Sequence, residues 1–121
     1  MLKVMLVEDD NTMVSLLTTL LDLEGFLVHA PSDHQIKDVL SEIINEHPQI
    51  ALVDVNLRDG SGLDLVREIR LEPEIKDIRI LMSSGLNLEQ ECIQAGADGF
   101  IMKPFMPDEL INLIHRTLQQ Q

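Results

Sequence analysis

What constrains this chain most is an alternation that runs from end to end. Short apolar runs, each closed by a polar or glycine-containing turn, trade places with longer stretches whose apolar residues recur every three or four positions. The clearest short run is Ile50-Ala51-Leu52-Val53, which leads into Asp54 and then a polar turn reaching Gly62. An unbroken apolar run bounded by turn signals suits a strand buried on both faces of a parallel sheet. Further runs are Lys3–Val7, Phe26–Ala30, Ile78–Met82 and Phe100–Met102. Between them lie the helical faces. Met13, Leu16, Leu17, Leu20 and Leu21 form the first, stopping at Gly25. Ile36, Val39, Leu40 and Ile43 form the second, with Ser32 or Asp33 available as its cap. Leu65, Val66 and Ile69 form the third. Leu88, Cys92 and Ile93 form the fourth, ending at Gly96, and from about Pro107 the fifth carries Leu110, Leu113, Ile114 and Leu118. Five strand–helix alternations without a composition break predict one α/β domain over residues 1–121, its parallel sheet wound with helices on both faces.

Composition narrows the function. A net charge of −12 opposes direct binding to nucleic acid and to anionic membranes. No apolar run approaches the roughly 20 residues of a membrane span. The start, MLKVMLVEDD, is too short and too soon acidic for a secretory signal, so a cytoplasmic location is the expectation. The single Cys92 cannot form an internal disulfide and reads as a small core residue. His29, His34, His47 and His115 lack metal-ligand spacing. The closing Gln119-Gln120-Gln121 reads either as a ragged end or as the start of a glutamine-rich linker.

In a parallel sheet all carboxyl ends lie on one edge, where open α/β sheets place their ligand crevices. This chain would put Glu8 and Asp9 there from the first strand, Asp54 from the third, Ser83 from the fourth and Lys103 from the fifth. Taken singly, a strand-end Asp is often a cap, and Glu8-Asp9-Asp10 could simply favour a helix N-terminus. Together they make a coherent chemistry. Two carboxylates about 4 Å apart repel by roughly 4 kcal/mol at an effective dielectric near 20, so three require a cation. Oxygen ligands without His or Cys suit Mg²⁺. A neutralised Asp can attack phosphorus, with Lys103 and the Ser83 hydroxyl contacting the phosphoryl oxygens.

The segments LVEDDN (Leu6–Asn11), LVDVNLRDGSGLDL (Leu52–Leu65), ILMSSG (Ile80–Gly85) and AGADGFIMKPF (Ala95–Phe105) together resemble the receiver domains of two-component response regulators, over essentially the whole chain. The resemblance implies a flavodoxin-like (βα)5 fold with strand order 2-1-3-4-5. It implies that Asp54 is the phosphoacceptor, that Asp9 ligates Mg²⁺ directly, and that Glu8 acts mainly through water. Asn56 would give a backbone carbonyl to the metal. Ser83 and Phe100 fall at the switch positions, Lys103 at the family lysine joined to Pro104 by a cis peptide, and Gly62 at the family's turn glycine. The partners implied are a histidine kinase or phosphotransfer protein, a downstream output protein or domain, and a phosphorylation-linked homodimer. Three departures stand out: Glu8 for the commoner Asp, Arg58 where Pro is frequent, and Phe100 without a tyrosine hydroxyl.

Other readings fit less well. A flavodoxin-type cofactor binder would want Ser, Thr and Gly after the first strand to cradle a phosphate, where Glu8-Asp9-Asp10 would repel one. A phosphatase would want an acid two residues after Asp54, where Asn56 stands. A third alternative is a receiver-like module that binds partners and is never phosphorylated, against which stands the presence of every required group. By resemblance, Asn56 and Gly85 flank the path of hydrolytic water; Gly85 equally suits a turn that needs φ > 0.

Overall fold

The computed structural model describes residues 1–58 and 60–120. Its elements, in order, are β1 (Lys3–Val7), α1 (Asn11–Leu23), β2 (Leu27–His29), α2 (Ile36–Glu46), β3 (Ile50–Asp54), β4 (Asn56–Leu57), β5 (Gly60–Ser61), α3 (Gly62–Leu71), β6 (Arg79–Ser84), α4 (Glu89–Ala95), β7 (Gly99–Met102) and α5 (Pro107–Leu118). The main sheet is five-stranded and parallel in the order β2-β1-β3-β6-β7. Counting only its own strands, this is the expected 2-1-3-4-5 order. The order reverses between β1 and β3, which opens a crevice at their carboxyl ends.

Alternation within the strands explains why both faces are covered. Val4, Leu6, Ile50, Leu52 and Leu81 point to one face and pack with Leu17 and Leu21 of α1 and Leu110 and Ile114 of α5. Met5, Val7, Ala51, Val53, Ile80 and Met82 point to the other, against Val39 and Ile43 of α2, Leu65, Val66 and Ile69 of α3, and Cys92 of α4. Every residue of β3 is buried, as the unbroken apolar run demands.

The structure departs from the sequence expectations locally. Leu16 belongs to the apolar face of α1 by spacing, but it is 61% exposed; Leu17 and Leu21 are the residues that bury. Ile93 of α4 likewise turns outward, while Cys92 is fully buried. Neither Ser32 nor Asp33 caps α2. The cap position is Gln35, without a side-chain bond, and the Asp33 carboxylate instead accepts the Gln35 N–H at 3.0 Å. Between β3 and α3 the chain forms a short antiparallel pair, β4 with β5, that no local pattern signalled. Gln119 and Gln120 continue from α5 with backbone bonds to Arg116 and Thr117; Gln121 lies outside the described residues.

Candidate functional site

Three consecutive acids after β1 divide their duties. Asp10 caps α1, its Oδ1 accepting the Thr12 and Met13 N–H groups at 2.9 and 3.3 Å. That leaves Glu8 and Asp9 for the crevice, where one carboxylate oxygen from each of Glu8, Asp9 and Asp54 falls within 4.8 Å of the others. Glu8 and Asp54 are buried and Asp9 is half-buried. The Lys103 ammonium crosses from the end of β7 and donates to Glu8 Oε2 and Asp54 Oδ2, each at 3.1 Å. The remaining oxygens of that pair are held by backbone: Glu8 Oε1 accepts from the Asp10 N–H at 3.3 Å and Asp54 Oδ1 from the Asn56 N–H at 3.2 Å. Each of the four oxygens therefore carries one hydrogen bond and keeps a lone pair available to another ligand.

Electrostatics follow from this crowding. Burial pushes the Glu8 carboxyl above its ordinary range, against the Lys103 hydrogen bond, and the Asp54 charge adds to the rise. Burial would pull the Lys103 ammonium down, but the Glu8 hydrogen bond and the Asp54 charge outweigh it and hold it above its ordinary value. Behind the carboxylates, Leu6, Leu52, Leu81, Ile101, Phe105 and other apolar side chains line a cavity of about 20 Å³. Three acids against one ammonium at an apolar wall leave the cluster short of positive charge. An all-oxygen, carboxylate-rich donor set of this kind fits a hard divalent cation such as Mg²⁺.

The other expected residues fall around this cluster. Ser83 stands opposite Asp54 in the β3–β6 register, and its carbonyl accepts the Val55 N–H at 2.9 Å. Phe100 is one strand further out, opposite Met82, half-buried and packed on the α2–α4 side of the sheet. The Lys103–Pro104 peptide is cis, and the Lys103 N–H donates to the Ser84 carbonyl at 2.8 Å. Asn56 is exposed at the start of the β4–β5 pair. Gly62 begins α3, donates its N–H to Val55 O at 2.7 Å, and is required for closeness: a Cβ there would overlap the Asp54 carbonyl oxygen. Gly85 does not have the positive φ that a turn reading requires, since the left-handed glycines among the described residues are Gly25, Gly60 and Gly96. A Cβ at Gly85 would meet open space.

Sequence reasoning missed a second charged centre. Arg70 of α3 donates to the carbonyls of Gly96, Lys76 and Ile78 at 2.8, 2.7 and 2.6 Å, and to Asp98 Oδ2 at 3.0 Å. The same Asp98 oxygen accepts the Ile80 N–H at 2.8 Å. The only sequence signal was an acid inside the otherwise small and apolar Ala95–Phe100 segment.

The fold agrees with what comparison gives. The model of the response regulator receiver domain family matches residues 4–115, and the chain belongs to that family. It is 34% identical over 120 residues to the two-component response regulator PhoP of Pseudomonas aeruginosa, and 32% identical over 120 residues to the cell cycle transcriptional regulator CtrA of Caulobacter vibrioides. Each alignment covers 98% of this chain but 52% and 51% of those proteins, so the chain spans about half the length of the curated relatives it matches. Among solved structures it is similar to the N-terminal domain of the nisin resistance regulator NsrR (TM-score 0.85, 32% identity, 98% of both chains). It is also similar to the chemotaxis response regulator CheY4 of Vibrio cholerae (TM-score 0.88, 26% identity, 97% of this chain and 98% of that one). Among the described residues no helix is long and apolar enough to cross a membrane.

Proposed function

We propose that residues 1–121 form one receiver domain acting as a phosphorylation-controlled switch, with Asp54 as the phosphoacceptor. The observation that carries this reading is the Lys103 ammonium, 3.1 Å from both Glu8 and Asp54, in a cluster that also holds Asp9. Glu8, Asp9, Asp54 and the Asn56 carbonyl would hold Mg²⁺. Bound there, the ion neutralises the carboxylates and withdraws charge from a phosphoryl group.

The residues of the chain do the rest. An Asp54 carboxylate oxygen attacks the phosphorus of a histidine kinase's or phosphotransfer protein's phosphohistidine; the P–N bond breaks, its electrons return to the imidazole, and an acyl phosphate remains. Lys103, already bonded to Asp54, follows the new charge onto a phosphoryl oxygen. Ser83, across the register from Asp54, supplies a hydroxyl donor from β6. Its inward movement vacates space for Phe100, and β6–α4 and β7–α5 shift between two packings that an output protein or domain reads. Asn56 can orient a hydrolytic water but cannot take its proton. The domain therefore promotes its own phosphorylation and slow dephosphorylation without turning over a substrate as an enzyme does.

The test is intact-mass measurement after acetyl phosphate treatment. Wild type with Mg²⁺ should gain one phosphoryl group, and both Asp54→Ala and wild type in chelator should gain none. Equal labelling of Asp54→Ala would refute the acceptor. An unlabelled wild type would favour a receiver that only binds partners.

A further inference from the structure

Resting on the phosphotransfer reading, we infer that Arg58 is the docking cation for the incoming phosphoryl donor. Lys103 cannot fill that role alone, because both of its acidic partners already engage it from within the crevice. Glu8, Asp9 and Asp54 against Lys103 leave a surplus of two negative charges. A divalent cation brings the pocket only to neutrality, and a phosphoryl donor arrives as an anion. Nothing inside the crevice then attracts it from a distance, and the whole chain, at −12, repels it.

Arg58 lies where that attraction is needed. It follows β4 at the turn of the short antiparallel pair and is exposed. From there its guanidinium reaches back across the mouth of the crevice. Among the described residues its one hydrogen bond is to the backbone carbonyl of Asp9, the half-buried acid of the cluster. At 3.5 Å this contact is long and easily exchanged. Among the described residues it leaves most of the planar five-donor fork free to take phosphoryl oxygens. The segments that flank Arg58 are tied to the acceptor strand: the Asn56 N–H holds Asp54 Oδ1 and the Gly62 N–H holds the Val55 carbonyl.

The test compares wild type with Arg58→Ala, Arg58→Lys and Arg58→Glu at saturating Mg²⁺. Rates of phosphorylation are followed against donor concentration for acetyl phosphate, a dianion at neutral pH, and for phosphoramidate, which carries one fewer negative charge. Arg58→Ala should lower the second-order rate constant for acetyl phosphate by about three- to tenfold and for phosphoramidate by less, Arg58→Glu should lower it further, and Arg58→Lys should recover part. The deficit should shrink as salt rises from about 0.05 M to 0.5 M, since an exposed charge is screened. Decay of the phosphoprotein and the melting temperature should stay near wild type. Equal rate constants in wild type and Arg58→Ala would overturn the role of Arg58 alone, as would a loss that is the same for both donors and insensitive to salt. No labelling of wild type above an Asp54→Asn blank would remove the phosphoacceptor reading, and this inference with it.

Discussion

At the carboxyl edge of the sheet, Lys103 faces Glu8 and Asp54 at 3.1 Å each, with Asp9 in the same cluster; on the flank between α3 and β7, Arg70 faces Asp98 at 3.0 Å and the carbonyls of Gly96, Lys76 and Ile78. Both are part-buried cations that gather segments distant in sequence. They differ in balance. Arg70 has one acid for one guanidinium, and its remaining bonds go to carbonyls that would otherwise need a donor. Lys103 has an excess of acids, and the carboxylates keep unused lone pairs. A balanced centre gains nothing from a further ion. An unbalanced one is strained until something positive arrives, which is the physical ground for proposing ligand chemistry there.

Removing the cation from the balanced centre should have the largest effect on stability. Arg70→Ala strips donors from three carbonyls and leaves Asp98 with only the Ile80 N–H. Water can reach part of the site, since both side chains are 22% exposed, so the expected loss is about 2–3 kcal/mol rather than that of a sealed pair. This corresponds to roughly 10 °C in melting temperature for a domain of this size. Arg70→Lys should fall between, because an ammonium cannot span the same set of acceptors. Thermal melts within about 1 °C of wild type for Arg70→Ala would break the contrast by showing the centre to be dispensable.

Neutralising an acid in the unbalanced centre should have the opposite sign. The folded state holds the Glu8 proton more tightly than the unfolded chain, whose carboxyl titrates near 4.5. Glu8 therefore contributes stability that is complete below that pH and is lost as pH rises through its folded value. In metal-free buffer Glu8→Gln should be more stable than wild type at pH 7, by on the order of 1 kcal/mol, with the difference vanishing toward pH 4. Taking the difference matters, because Glu46, held low by its Lys3 hydrogen bond, has the reverse dependence: its contribution is present above its ordinary value and lost on acidification. Denaturant melts across that pH range decide the point. A Glu8→Gln protein less stable than wild type at pH 7 would mean that the Lys103 bond outweighs burial.

The two centres were not equally legible. Glu8, Asp9, Asp54, Ser83 and Lys103 each sit where an apolar run stops, so their convergence follows once the runs are read as parallel strands. Arg70 and Asp98 sit 28 residues apart, on a helix and in a loop, with no periodicity to link them. The β4–β5 pair has two residues a side, too short for an alternation to register. Leu16 misled because spacing identifies an apolar arc on α1 without saying how wide a strip the sheet accepts; that strip centres on Leu17 and Leu21, with Met13, Val14 and Leu20 partly buried beside them and Leu16 outside it. Gly62 was legible as a glycine but not for its reason. A sequence suggests a turn there, whereas only the fold reveals the Asp54 carbonyl lying where a side chain would start.

The smallest expected effect on stability comes at Gly85, and it sharpens what the unbalanced centre is for. A turn glycine with left-handed φ would make any substitution costly, and a change in signal lifetime could then be blamed on misfolding. That objection does not apply here, because Gly85 lacks a positive φ and a Cβ would meet open space. Gly85→Arg should therefore change folding stability by no more than about 0.5 kcal/mol. Its long side chain would nonetheless extend from the turn just beyond Ser83, which faces Asp54 across the sheet. Hydrolysis of an Asp54 phosphate requires water in line with the bond to be broken, so a side chain over that approach should slow loss of phosphate by about three- to tenfold. Purified phosphoprotein followed by mass after removal of donor gives the rate directly. Unchanged decay with unchanged stability would place the water's route elsewhere and leave Asn56, exposed two residues after Asp54, as the residue to vary next.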